Sequence, residues 1–271
     1  MTPWPKLINL PPAMSGPPDA AGVQNVIKPF VHNDGHVKSL HFTMDELQSR
    51  TNLLSSSLLE VDYNRTMMGF LLFNPAPASI AMVGLGGGSL AKFCYRQLPE
   101  CRMTVVEINP HVIALRREFE VPEDNARFNV VEADGAAFVG LLSAQFDVLL
   151  IDGFDHDGQP AALCSQRFYE DCFAALTPDG ILAVNLHHDN EDYPVWVERI
   201  RRSFNGNAVE IITPEKSNCI VFASRGKPFS PRSLNLQASL SKLDSQARVH
   251  LKPEFARIAW SMKSLEAGYE R

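Results

Sequence analysis

Between residues 79 and 223 the chain alternates short apolar runs with stretches of helical periodicity. Apolar, β-branched runs are typical of buried strands, and apolar residues recurring every three or four positions are typical of helices. The predicted strands cover residues 79–84, 102–107, 127–132, 146–152 and 180–186. The predicted helices cover residues 88–97, 110–118, 134–142, 165–175 and 192–204. This alternation predicts a parallel sheet with helices on both faces.

Two further apolar runs, Val209 to Ile212 and Cys219 to Ala223, are separated only by the segment TPEKSN. Because this gap is too short for a helical crossover, the two strands are predicted to be antiparallel. The predicted fold class is therefore α/β, with a mostly parallel seven-stranded sheet that ends in an antiparallel hairpin. This Rossmann-like arrangement is typical of adenosylmethionine-dependent transferases, and nicotinamide enzymes do not usually have it.

The rest of the chain predicts three smaller segments around this core of residues 75–226. Residues 1–30 are rich in proline and lack periodicity, which indicates a poorly ordered arm. Residues 31–74 predict a small β element followed by a connecting helix from Asn64 to Phe73. Residues 227–271 predict a polar, helical tail.

Composition excludes some functions and leaves others open. With 271 residues, 45% of them hydrophobic and 21% charged, the chain predicts a soluble globular protein. A net charge of −6 argues against nucleic acid as a partner and is compatible with a small cationic substrate. The five cysteines contain no CxxC pair, which indicates reduced thiols and a cytoplasmic location. No apolar run reaches the roughly 18 residues that a membrane span needs.

A glycine-rich turn follows the first strand of the predicted sheet. Gly84, Gly86, Gly87 and Gly88 come directly after the apolar run, and Glu107 ends the next strand 23 residues after Gly84. Glycine allows a close approach of backbone to ligand, and a helix that starts there offers unpaired N–H groups. An acid at this spacing can bind both hydroxyls of a ribose. The pattern predicts an adenosine-type cofactor site; a strand-to-helix turn without a ligand is the alternative.

Further polar residues follow the other strands, and ligands of open parallel sheets bind at this edge. Asp134 is predicted either to contact adenine or to cap a helix. Asp152 and Asp155 follow the fourth strand, where two acids beside a cofactor pocket indicate charge recognition or proton transfer. His187 and His188 follow the fifth strand, where neighbouring side chains point to opposite faces, so no metal site is predicted.

Three segments together resemble the spermidine synthase (polyamine aminopropyltransferase) family. VEINPHVIALRREF is similar to the ribose-binding segment of that family, and EADGAAF is similar to its GDG motif. IDGFDHDGQPAALCSQRFY is similar to its D-S-x-D-P-x-G-P segment and the helix that follows. For the cofactor, the resemblance implies Glu107 and Ile108 at the ribose segment and Asp134 and Gly135 at the adenine.

For the reaction, the resemblance implies that Asp152 is the catalytic acid beside the cofactor and that Asp155 holds the amine substrate. Tyr63 and Gln48 match the family's N-terminal Tyr and Gln, which reach over substrate and cofactor. His156, in the same loop as Asp155, is also expected to contact the substrate. The family further implies a homodimer and decarboxylated S-adenosylmethionine as co-substrate, with an amine such as putrescine as acceptor.

The glycine motif departs from the family pattern GGGDGG, because it reads GLGGGS and places Gly87 where the family has aspartate. A carboxylate at this position would repel the carboxylate of ordinary S-adenosylmethionine, whereas Gly87 repels nothing. Three functions therefore stay open at this point: an aminopropyltransferase, a methyltransferase that uses ordinary S-adenosylmethionine, and a protein that binds an adenosyl ligand without catalysis.

Overall fold

A seven-stranded sheet positions most of the polar residues named above. The computed structural model describes residues 27–42, 47–52, 58–155 and 158–269. The strands are β1 (Phe30–Asn33), β2 (Val37–His41), β3 (Leu47–Asn52), β4 (Ser79–Val83), β5 (Arg102–Glu107), β6 (Phe128–Glu132), β7 (Phe146–Ile151), β8 (Leu176–His187), β9 (Ala208–Ile212) and β10 (Asn218–Ser224). The α-helices are α1 (Asp62–Met67), α2 (Ser89–Gln97), α3 (Pro110–Ala114), α4 (Gly135–Gly140), α5 (Gln166–Ala175), α6 (Tyr193–Ser203), α7 (Leu236–Ser241) and α8 (Ser245–Tyr269).

The strand order of the large sheet is β6-β5-β4-β7-β8-β10-β9. The first five of these strands are parallel, and β10 pairs antiparallel with both β8 and β9. β1, β2 and β3 form a separate antiparallel sheet. The predicted fold class is thus confirmed, including the terminal hairpin and the small N-terminal β element. The order reverses at β4 and β7, so the loops after these strands open a crevice at the sheet edge.

Both faces of the large sheet are covered, which explains why its central strands are continuous apolar runs. One buried cluster includes Phe93 and Phe128 on one face, and a second includes Phe168 and Tyr169 on the other. α8 completes the first cluster with Phe255 and other fully buried side chains. The C-terminal helix therefore forms part of the core, a role that its polar sequence did not predict.

Three elements differ most from the prediction. The helix predicted over 64–73 is α1 followed by a 3-10 helix, Met68–Leu72. α3 ends at Ala114 rather than at residue 118, because the N–H groups of Leu115 and Arg116 bond to the carbonyl oxygens of Val112 and Ile113, three residues back, and form turns. Lys38 and Lys92 donate hydrogen bonds to the carbonyl oxygens of Glu118 and Phe119, respectively. β8 begins at 176 rather than 180, with an irregularity in its pairing to β7.

The residue bounds of the four predicted segments stay predictions, and residues 1–26 of the predicted arm lie outside the described residues. All five cysteines are free and buried. No helix within the described ranges combines the length and the apolar character needed to cross a bilayer.

Candidate functional site

A cavity lies at the carboxyl edge of the parallel strands, where β4, β5 and β7 end. Residues from both sheets line it: Leu40, Phe42, Ser49, Tyr63, Asn64, Met82, Val83, Gly84, Leu85, Gly86, Gly87, Ser89, Leu90, Val106, Glu107, Ile108, Val112, Asp134, Gly135, Asp152, Gly153, Phe154, Asp155, Pro160, Ala162 and Leu163. Gly84, Gly86 and Gly87 of the predicted glycine turn line this cavity together with the predicted acids after three strands, whereas Gly88 is not among the lining residues. The small N-terminal sheet covers part of this cavity.

The glycine turn brings two loops of this edge into close approach. Gly84 has φ +96°, and a Cβ atom added there would lie 2.2 Å from the carbonyl oxygen of Asp152. Gly88, with φ +69°, is the N-cap of α2. Glycine tolerates both conformations without the steric penalty that other residues carry. The first and fourth strand ends can meet only because position 84 has no side chain.

Glu107 joins the glycine turn to the end of β5. Its Oε2 accepts a 2.8 Å hydrogen bond from the backbone N–H of Leu85, and its Oε1 accepts one of 2.8 Å from that of Asn109. Burial raises the pKa of Glu107, while bonds from backbone N–H groups oppose this rise. The carboxyl group is thus held in one orientation on the cavity wall.

Asp134 is the N-cap of α4, which is one of the two roles predicted for it; the other is a contact with adenine. Its Oδ1 accepts a 2.7 Å hydrogen bond from the backbone N–H of Ala137. Asp134 also lines the cavity, next to Gly135, so capping fixes its position at the wall. A Cβ atom added to Gly135 would lie 2.4 Å from Cγ1 of Val83, which explains why the residue after Asp134 is glycine.

Asp152 is the carboxyl group with the most specific surroundings. Its Oδ1 accepts a 2.8 Å hydrogen bond from Nδ2 of Asn185, and the Tyr63 hydroxyl donates a second bond to it. Burial raises the pKa of Asp152 to about 6, although both hydrogen bonds act in the opposite direction. Burial and the nearby Asp152 also raise the pKa of Tyr63 well above its usual range, so the hydroxyl stays protonated. A carboxyl group poised near neutral pH can accept a proton from a substrate.

A chain of amides fixes Asn185 in turn. Its Oδ1 accepts a 2.9 Å bond from Nδ2 of Asn218, and the Asn218 Oδ1 accepts one of 2.9 Å from the Ser217 hydroxyl. Because the Asn185 oxygen is already used by Asn218, its NH₂ group faces Asp152. β8 and β10 therefore set the hydrogen bonding of the carboxyl group that β7 delivers.

Comparison with known proteins shows to which family the chain belongs. The Spermine/spermidine synthase domain model matches residues 60–212. A polyamine aminopropyltransferase of Neisseria meningitidis serogroup A is 37% identical over 87% of this chain and 87% of its own length. Another, from Chromobacterium violaceum, is 38% identical over 73% of this chain and 76% of its own length. The chain belongs to the spermine/spermidine synthase family.

A solved structure of a probable spermidine synthase from Corynebacterium glutamicum shares the fold. Its TM-score is 0.67 at 21% identity, and the match covers 79% of this chain and 82% of that chain. The family model and the two aminopropyltransferase relatives confirm the spermidine synthase resemblance drawn from the three sequence segments. Within the family-model range lie Tyr63, the glycine turn, Glu107, Asp134 and Asp152, whereas Ser49 and Asn218 lie outside it.

Not every residue predicted for a spermidine synthase site can be placed. Gln48 lies in β3, but its side chain is outside what the structure describes, and His156 lies outside the described residues. Asp155 lines the cavity and bridges to Gly158 through its backbone. Ile108 lines the cavity with 44% of its surface exposed. His187 stacks on Phe154 at 4.5 Å between ring centroids and does not line this cavity.

Across the described ranges of the chain, no group of three or more His, Cys, Asp or Glu side chains is placed to hold a metal ion.

Two other residues that line the cavity were not predicted from the sequence. Asn64 lines the cavity beside Tyr63, and its position next to that tyrosine was a usable signal. Ser49 reaches the glycine turn from β3, and no sequence pattern indicates this contact.

Proposed function

We propose that the protein transfers an aminopropyl group from decarboxylated S-adenosylmethionine to an amine acceptor. The observation that carries the proposal is the position of Asp152. This buried carboxyl group, with its pKa near neutral pH, lies in the same cavity as the glycine turn and Glu107. One cavity thus combines groups suited to an adenosyl ligand with a group suited to proton transfer. Family membership supports the same assignment.

The cavity walls fit the adenosyl part of such a co-substrate. Glu107 presents its carboxyl group to the ribose hydroxyls, and Asp134 faces the adenine amino group from the N-terminus of α4. Ile108, exposed at the cavity, offers an apolar surface to the base. Apolar walls with a few fixed polar groups are typical of sites for small ligands.

The chemistry requires a neutral amine. The amine nitrogen attacks the methylene carbon next to the sulfonium; a C–N bond forms, the C–S bond breaks, and methylthioadenosine leaves as a neutral thioether. An amine with a pKa near 10 must lose its proton first, which costs about 4 kcal/mol at pH 7. Asp152 accepts this proton, and the Tyr63 hydroxyl helps to orient the carboxylate. Asp155 attracts a second, protonated nitrogen of the acceptor.

The direct test incubates the purified protein with decarboxylated S-adenosylmethionine and putrescine and measures methylthioadenosine. Asp152→Asn should reduce its formation by about 10³-fold or more, while calorimetry still detects methylthioadenosine binding. Asp171→Asn is a matched control, because Asp171 pairs with Arg167 on α5 away from the cavity. Absence of product with putrescine and every other amine acceptor tested would contradict the proposal.

A methyltransferase is the second candidate, and the observation that favours it is Gly87. No carboxylate stands at this position to exclude ordinary S-adenosylmethionine. Calorimetry with S-adenosylmethionine, its decarboxylated form, adenosylhomocysteine and methylthioadenosine separates the two functions. Tighter binding of the decarboxylated form and of methylthioadenosine supports aminopropyl transfer. The opposite preference, together with methyl transfer to an amine, supports the second candidate, and binding without turnover supports a non-catalytic protein.

We also propose that the protein acts in the cytoplasm as a homodimer and binds no nucleic acid. Its five free thiols suit a reducing compartment, and burial raises the pKa of Cys101, Cys164 and Cys219 to about 12. The net charge of −6 disfavours phosphate backbones. Light scattering coupled to size-exclusion chromatography tests the dimer, and a gel-shift titration tests the lack of nucleic-acid binding.

A further inference from the structure

A second cavity adjoins the first one at Asp155. Tyr63, Phe154 and Asp155 line both cavities. The second cavity continues away from the glycine turn, between the start of α1, the end of β8 and the turn that joins β9 to β10. A linear substrate that is aligned on Asp152 and passes Asp155 therefore enters this second space.

The second cavity is acidic. Asp62, Asp155 and Glu215 line it, and its described lining residues include neither lysine nor arginine. His187 also lines it, and burial lowers the pKa of this imidazole, which favours its neutral form. A cavity whose described lining has three carboxyl groups and neither lysine nor arginine favours a positively charged ligand.

Asp62 supplies the observation that points to a ligand. Only 2% of this residue is exposed, and its Oδ2 accepts a 2.9 Å bond from the backbone N–H of Glu215. Its Oδ1 is buried and has no hydrogen-bond partner among the described residues. A buried carboxylate oxygen without a donor is costly, and an ammonium group provides the missing donor and the missing charge. Glu215, which is exposed, stands at the same cavity and can bind the ammonium from the solvent side.

We propose that the acceptor is a linear polyamine with at least three nitrogens, whose terminal ammonium binds between Asp62 and Glu215. This inference rests on the proposed function, because Asp152 must align the reacting nitrogen. Asp155 then lies beside the middle nitrogen, at the boundary of the two cavities. A diamine bound at Asp152 and Asp155 would leave the Asp62 oxygen without a partner.

The test compares kcat/KM for two acceptors, 1,4-diaminobutane and the triamine N-(3-aminopropyl)-1,4-diaminobutane. The wild-type protein should prefer the triamine by about tenfold or more. Glu215→Gln should lower kcat/KM for the triamine about fivefold and change the value for the diamine less than twofold. Asp62→Asn removes the charge but keeps an oxygen that can accept the bond from the Glu215 N–H. It should lower kcat/KM for the triamine by more than Glu215→Gln does, and it should again affect the diamine less. Glu100→Gln is the control, an exposed acid before β5 at the opposite edge of the sheet.

The outcomes separate this inference from the proposed function. Turnover of the diamine without turnover of the triamine overturns the inference and leaves aminopropyl transfer intact. Equal losses for both acceptors in Glu215→Gln also overturn it, and this variant remains decisive if Asp62→Asn unfolds. Failure of the wild-type protein with every amine acceptor contradicts the proposed function itself.

Discussion

The side-chain amide of Asn185 donates a 2.8 Å hydrogen bond to Oδ1 of Asp152, although 33 residues separate the two in the chain. β7 and β8 are parallel neighbours, so the ends of both strands meet at one edge of the sheet. Asn218 fixes the orientation of the amide from the antiparallel strand β10. Asp152, the proposed base, thus accepts a hydrogen bond from Asn185. This bond favours the carboxylate and offsets part of the rise in pKa that burial causes.

We expect kcat/KM to rise with pH through a limb near the Asp152 pKa of about 6. The carboxylate is the form that accepts a proton, and its fraction grows as the pH rises through this pKa. Asn185→Leu removes a donor that stabilises the carboxylate, so the limb should move to higher pH. A pH profile of the initial rate measures this shift. Ser217→Ala, which leaves the bond between Asn185 and Asp152 in place, should keep the wild-type limb.

Asp152→Asn should stabilise the protein at pH 8 while it abolishes activity. The folded-state pKa of about 6 is higher than the ordinary aspartate value of 3.8, so the native state binds this proton more tightly than the unfolded state. The charged form is therefore the destabilising one, and its removal should add about 1–3 kcal/mol to the free energy of unfolding. The gain should fade as the pH falls from 6 towards 4. Urea unfolding at several pH values measures it, with the exposed Glu170→Gln as the control.

Gly84→Ala should destabilise the fold far more than Gly206→Ala. Both glycines have positive φ, +96° and +80°, which costs alanine about 1–2 kcal/mol. Only Gly84 also faces a backbone atom, since its added Cβ would lie 2.2 Å from the Asp152 carbonyl oxygen, whereas nothing lies within 4 Å at Gly206. Urea midpoints should show a loss of about 3 kcal/mol or more for Gly84→Ala. Similar losses for both variants would contradict the close approach of the two loops.

The glycine at position 87 should control the choice between the two forms of the sulfonium co-substrate. A Cβ atom there would lie 2.4 Å from the Ser49 Oγ, so Gly87→Asp alone should destabilise the site. Combining it with Ser49→Gly removes that contact and should restore part of the lost stability. The double variant should bind ordinary S-adenosylmethionine at least tenfold more weakly, relative to the decarboxylated form, than the wild-type protein does. Calorimetry measures the ratio, and Ser49→Gly alone is the control.

The sequence predicted those parts of the site that follow strands in a regular order. The Gly84 turn, Glu107, Asp134 and Asp152 could all be placed at one edge, because the carboxyl ends of parallel strands meet there. The antiparallel hairpin could also be predicted, since a six-residue gap permits no crossover. Helix ends were less predictable: beyond Ala114 the N–H groups of Leu115 and Arg116 bond to carbonyl oxygens three residues back rather than four, so turns replace the helix that the apolar pattern predicted.

The tertiary structure decided which distant side chains share the cavity and how they are bonded. Asn218 at Asn185, Ser49 at Gly87 and Asp62 at the second cavity come from elements whose packing has no periodic signature. The raised pKa of Asp152 likewise depends on burial by several elements at once. The local sequence pattern determines which strands form and which polar residues follow them, because both depend on residues that are neighbours in the chain. The partners of each side chain depend on packing between elements that lie far apart in the chain.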